Sequence, residues 1–61
     1  MTELQKMIEM MESNVASANS ELLKFQSGNA SAGTRVRKHM QDIKNLAQNV
    51  RVEVQAIKNS K

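Results

Sequence analysis

Four cations recur at a fixed interval: Arg37, Lys44, Arg51 and Lys58 are each seven residues apart. Gln41, Gln48 and Gln55 each follow one of the first three by four residues. On a helix these seven side chains form one ladder along an edge, with about 10.5 Å between cations. The ladder holds no carboxylate, because Asp42 and Glu53 fall on the other flank. An ordinary solvated face mixes signs and carries acid–base pairs four residues apart. The one such pair here is Lys38–Asp42, in the less favourable order. Segregated cations interleaved with amide donors suit phosphate oxygens, Arg as a bidentate donor and Lys as a point charge. Arg35 and Lys38 add candidate phosphate contacts from other faces. The competing reading is that the cations pair with Glu9, Glu12 or Glu21 across a helix packing.

A helix edge requires a helix, and the apolar residues supply the pattern for two. Leu4, Ile8, Met11, Val15, Ala18, Leu22 and Phe25 alternate steps of four and three, with Met7 widening the stripe. That is the 3.5-residue period of helices packed along a seam. Val36, Met40, Ile43, Ala47, Val50, Val54 and Ile57 step in the same way, and Leu46 broadens that stripe. The spacing predicts an all-α chain with helices over about 2–27 and 30–59, each roughly 37 Å long. These apolar residues are the expected core. Ala18 and Ala47, mid-seam, would let helices approach closely. The ladder lies roughly a quarter turn from the second stripe. His39 flanks that stripe and reads as a packing or hydrogen-bonding residue.

Between the stripes runs Ser27-Gly28-Asn29-Ala30-Ser31-Ala32-Gly33-Thr34. Gly28 suits the left-handed conformation that ends a helix, and Asn29 suits a cap that accepts a backbone hydrogen bond. Gly33 then falls on the second seam, where it would admit the other backbone. The alternative makes Thr34 the cap after a longer loop. The tight turn is preferred because short helix connections are commoner. Residues 1–61 thus read as one antiparallel helical-hairpin domain.

With 61 residues, no Cys and one His, neither a disulfide nor a structural zinc set is available. A partner chain remains as the means of completing a core this small. A two-helix hairpin leaves one apolar flank wet, and pairing two hairpins buries it in a four-helix bundle. A homodimer is expected, with a higher oligomer as the alternative. No apolar run reaches the roughly 18 residues that span a membrane. The start, Met1-Thr2-Glu3-Leu4-Gln5-Lys6, lacks the basic opening of a signal peptide, so a cytoplasmic location is expected. No nucleophile sits beside a base and its orienter, so neither an enzyme, a cofactor nor a small-molecule substrate is expected. Residues 1–27 carry −2 and residues 28–61 carry +5. That asymmetry fits either an anionic partner for the second half or attraction between the halves.

The stretch Gly28-Asn29-Ala30-Ser31-Ala32-Gly33-Thr34-Arg35-Val36-Arg37-Lys38 resembles the chlamydial-type histone-like proteins, a bacterial linker-histone-like family. The likeness continues through Asp42-Ile43-Lys44-Asn45-Leu46-Ala47 and Val52-Glu53-Val54-Gln55-Ala56-Ile57-Lys58. It covers residues 28–58 well, while 1–27 match in pattern. The resemblance implies a nucleoid protein that compacts double-stranded DNA with little sequence preference and self-associates through its helices. It carries over to Arg35, Arg37 and Lys38. Lys44, Arg51 and Lys58, with Gln41, Gln48 and Gln55, rest on the ladder. Longer family members carry a Lys- and Ala-rich tail, whereas this chain stops at Lys61. Two rivals stand beside this reading: a helical oligomerisation module without nucleic acid, and a peripheral membrane helix with a basic face. The second needs the apolar stripe turned to lipid, which the uninterrupted seam and expected oligomer oppose.

Overall fold

The first turn of the chain closes on itself. In the computed structural model, which describes residues 2–60, helix α1 runs Glu3–Gln26 and helix α2 runs Ala30–Asn59. The Thr2 hydroxyl oxygen accepts from the Gln5 N–H at 3.1 Å, and the Gln5 amide oxygen accepts from the Thr2 N–H at 3.0 Å. This capping box satisfies two donors that a helix start would otherwise leave open. Glu3 in the first turn and Lys24 in the last complement the helix dipole.

The expected tight turn is present. Gly28 has φ +106°, a conformation that strains any residue with a Cβ. The Asn29 N–H reaches back to the Lys24 carbonyl at 3.1 Å, and the Gly28 N–H to the Phe25 carbonyl at 3.0 Å. Together these are the paired bonds of a Schellman end. Two local expectations change. Asn29 does precede α2, but its side chain makes no cap bond. Its oxygen is taken by the Ser31 hydroxyl at 3.1 Å, and its own carbonyl accepts from the Ala32 N–H. Gly33 admits a side chain rather than a backbone: a Cβ there would lie 2.9 Å from the Phe25 ring.

The hairpin is a rod with principal extents 51 × 19 × 10 Å, and its seam lies to one side of the stripes read from sequence. On α1 the buried or half-buried positions are Leu4, Met7, Met11, Asn14, Ala18 and Glu21. On α2 the half-buried sequence Val36, His39, Ile43, Leu46, Val50, Glu53 follows the same rhythm. Ala18 and Ala32 alone are buried among the described residues. Ile8, Val15, Leu22, Phe25, Met40, Val54 and Ile57 are 39–54% exposed. The physical reason is geometric. Two helices meet along one line, narrower than the apolar stripe each carries, so one margin of a wide stripe stays outside.

Candidate nucleic-acid interface

The long second helix fixes the ladder. All seven members, Arg37, Gln41, Lys44, Gln48, Arg51, Gln55 and Lys58, are exposed. From Arg37 to Lys58 the cations span about 31 Å of helix. Among the described residues, no carboxylate lies within 4.0 Å of Arg37, Lys44, Arg51 or Lys58. Adjacent cations stand about one Debye length apart at physiological salt, which limits their mutual repulsion. Gln55 donates to the Asn59 amide oxygen at 3.2 Å.

The two flanking cations behave differently. Arg35 Nε donates to Glu21 Oε2 at 2.6 Å, joining the helices just above the turn. Lys24 approaches the other Glu21 oxygen at 3.4 Å. The hydrogen bond from Arg35 is the main cause that holds the Glu21 carboxyl below its ordinary range, with the charges of Arg35 and Lys24 adding to it. Lys38 pairs with Asp42 at 3.6 Å on an open face, a contact of small energetic weight. Cross-helix pairing of cations is therefore realised at Arg35 and absent from the ladder.

Sequence reasoning missed two polar members of the seam. Asn14 Oδ1 lies 3.2 Å from His39 Nδ1 in the middle of the hairpin. Glu21 sits one heptad further along α1, 15% exposed. The signal was available in the spacing: Met7, Asn14 and Glu21 are seven apart and complete a four-three rhythm with Leu4, Met11 and Ala18.

The exposed apolar flank forms two shallow hollows. One lies along α1 between Ile8, Met11 and Val15, with Glu12 and Asn19 at its edge. The other lies near the turn, where Leu22 and Phe25 of α1 meet Gly33 and Val36 of α2, with Arg37 beside them. The apolar flanks of both helices thus share one face, and the ladder begins at its border. Among the described residues no group of three His, Asp or Glu side chains could hold a metal, and no helix is long and apolar enough to cross a membrane.

Neither the curated proteins nor the solved structures contain a match to this chain. One family model does match, that of histone H1-like protein Hc1, over residues 2–60. The match takes in both helices and the turn, α1 included, where the sequence likeness had been one of pattern. An exposed basic ladder on a helical hairpin fits that family's character, and the chain belongs to the histone H1-like Hc1 family of DNA-binding proteins.

Proposed function

We propose that two copies of the hairpin pair through their exposed apolar flanks and bind double-stranded DNA through the α2 ladder. Binding is to the phosphate backbone with little sequence preference, and two ladders per dimer bridge or compact DNA. A DNA partner implies a nucleoid location. The observation that carries the reading is the seven-member ladder, exposed throughout, with no carboxylate among the described residues within 4.0 Å of its cations. Nonspecific affinity for duplex DNA comes almost wholly from such phosphate contacts. The ladder helix carries no Phe, Tyr or Trp and so no aromatic platform for single strands. The proposed DNA-contacting set is Arg37, Gln41, Lys44, Gln48, Arg51, Gln55 and Lys58. Arg35 and Lys38 contribute only by exchanging Glu21 and Asp42 for phosphate.

Surface area supports pairing. A compact chain of this mass exposes about 4,000 Å², whereas the hairpin exposes 4738 Å². The excess is close to the roughly 800 Å² that each partner contributes to a standard interface. Titration of a mixed-sequence duplex across a salt series, on protein of measured mass, tests the whole reading. Salt-dependent binding by a dimer supports it. A defined oligomer that forms no DNA complex at low salt makes the chain an association module instead.

A further inference from the structure

The ladder borders the apolar face, so the way two copies pair decides where the ladders go. Resting on the dimer proposed above, we infer that the second copy docks with its turn at the same end, α1 of each lying on α2 of the other.

The register of the single hairpin sets the levels. Glu21 meets Arg35, Asn14 meets His39 and Phe25 meets Gly33, so residues whose numbers add to about 56 lie at one height. A twofold axis parallel to the helices preserves those heights between copies. The α2 cations then face the α1 edge of the second copy in a matched series: Arg51 with Gln5, Lys44 with Glu12, and Arg37 with Asn19. Glu12 and Asn19 already edge the α1 hollow, and Arg37 edges the one near the turn. Each of these three cations meets an amide oxygen or a carboxylate.

The other face-to-face arrangement has the twofold axis across the helices and the turns at opposite ends. It lays α2 on α2. With the two helices overlapping fully, Lys44 falls against its own copy and Arg37 against Arg51. Eight cations then crowd one groove, and no acid from α1 reaches them. Like charges set side by side cost stability where opposite charges across the other rim do not. The matched arrangement also sends the two ladders to opposite sides of the bundle. Each ladder then takes a separate duplex, which is the geometry bridging requires.

A nitroxide attached through Ser27→Cys reads the arrangement directly, because the chain has no cysteine of its own and Ser27 is exposed in the turn. Double electron–electron resonance on the full-length dimer should give a distance below about 25 Å, since four packed helices stand 8–10 Å apart axis to axis. A distance beyond about 40 Å, the length of a helix at 1.5 Å per residue, overturns this inference and leaves the dimer standing. A monomeric mass overturns both. An independent arm uses charge. Glu12→Lys and Lys44→Glu should each weaken self-association at least tenfold, and the double variant should restore it. Lack of restoration counts against the matched rims.

Discussion

Replacing Arg37, Lys44, Arg51 and Lys58 by Gln separates the ladder from every other basic residue. The ladder spans about 31 Å, close to one turn of duplex DNA at 34–36 Å. One ladder therefore reaches about four phosphates. Each neutralised phosphate contributes about −0.9 to the slope of log affinity against log salt. The four together give a slope near −3.6 per ladder, or about 150-fold loss between 50 and 200 mM salt. Removing Arg37 and Lys44 alone should halve the slope, and the quadruple variant should leave little of it. Within the single hairpin none of the four touches a carboxylate among the described residues and all are exposed. Because Lys44 faces Glu12 of the second copy in the inferred dimer, the variant's mass is measured beside its slope. Fluorescence anisotropy on a labelled duplex of mixed sequence gives the slope, and far-UV circular dichroism confirms helicity. A helical quadruple variant that keeps the parent slope refutes the ladder as the DNA-binding element.

Gly28→Ala puts a Cβ at φ +106° and should lower hairpin stability by about 1–2 kcal/mol, read by thermal melts. Asn14→Ala leaves His39 without its 3.2 Å partner in the seam and should cost about 1 kcal/mol; an unchanged melt would show the pair to be idle. Arg35→Gln should lower stability while leaving the DNA salt slope nearly unchanged, because Arg35 is engaged with Glu21. The same pair gives a pH dependence. Glu21 titrates below its ordinary value of 4.5 when folded, so its stabilisation is full above that value and is lost as pH falls through the lower folded one. Acid melts of the parent chain should show this loss, and those of Arg35→Gln should show less of it, since only Lys24 then holds the carboxyl down.

Both helices were legible because their stripes repeat without a break and the turn carries Gly28 where a helix must end. The ladder was legible for the same reason: a seven-residue interval needs only a helix to become an edge. The seam was harder. A stripe three positions wide can face its partner along either margin, and hydrophobicity alone favours the margin with Ile8, Val15 and Leu22. The hairpin uses the other one, where Asn14 finds His39 and Glu21 finds Arg35. The heptad spacing of Met7, Asn14 and Glu21 marks their place on the seam, but which residue each meets is visible only when both helices are placed. The role of Arg35 was hidden in the same way, because a cation near a turn has many possible partners until a carboxylate is found 2.6 Å away.

That choice of margin has a thermodynamic consequence. Polar pairs inside a seam fix register more than they stabilise. Here they occupy the intramolecular contact while Ile8, Val15, Leu22, Met40 and Val54 remain outside. A hairpin built this way holds its shape but little free energy, and on the dimer reading the exposed apolar flank is covered by a second copy. Stability on the dimer reading therefore depends on concentration, because folding and pairing occur together. A tenfold rise in protein adds about 1.4 kcal/mol to the dimer. Unfolding entropy near 2.1 cal/mol/K per residue, over two chains of 61 residues, converts this to a rise of about 5 °C in Tm. Melts followed by circular dichroism over a hundredfold concentration range should thus move by about 10 °C. A Tm that stays fixed over that range means the hairpin is stable alone, and the exposed flank then needs a different occupant.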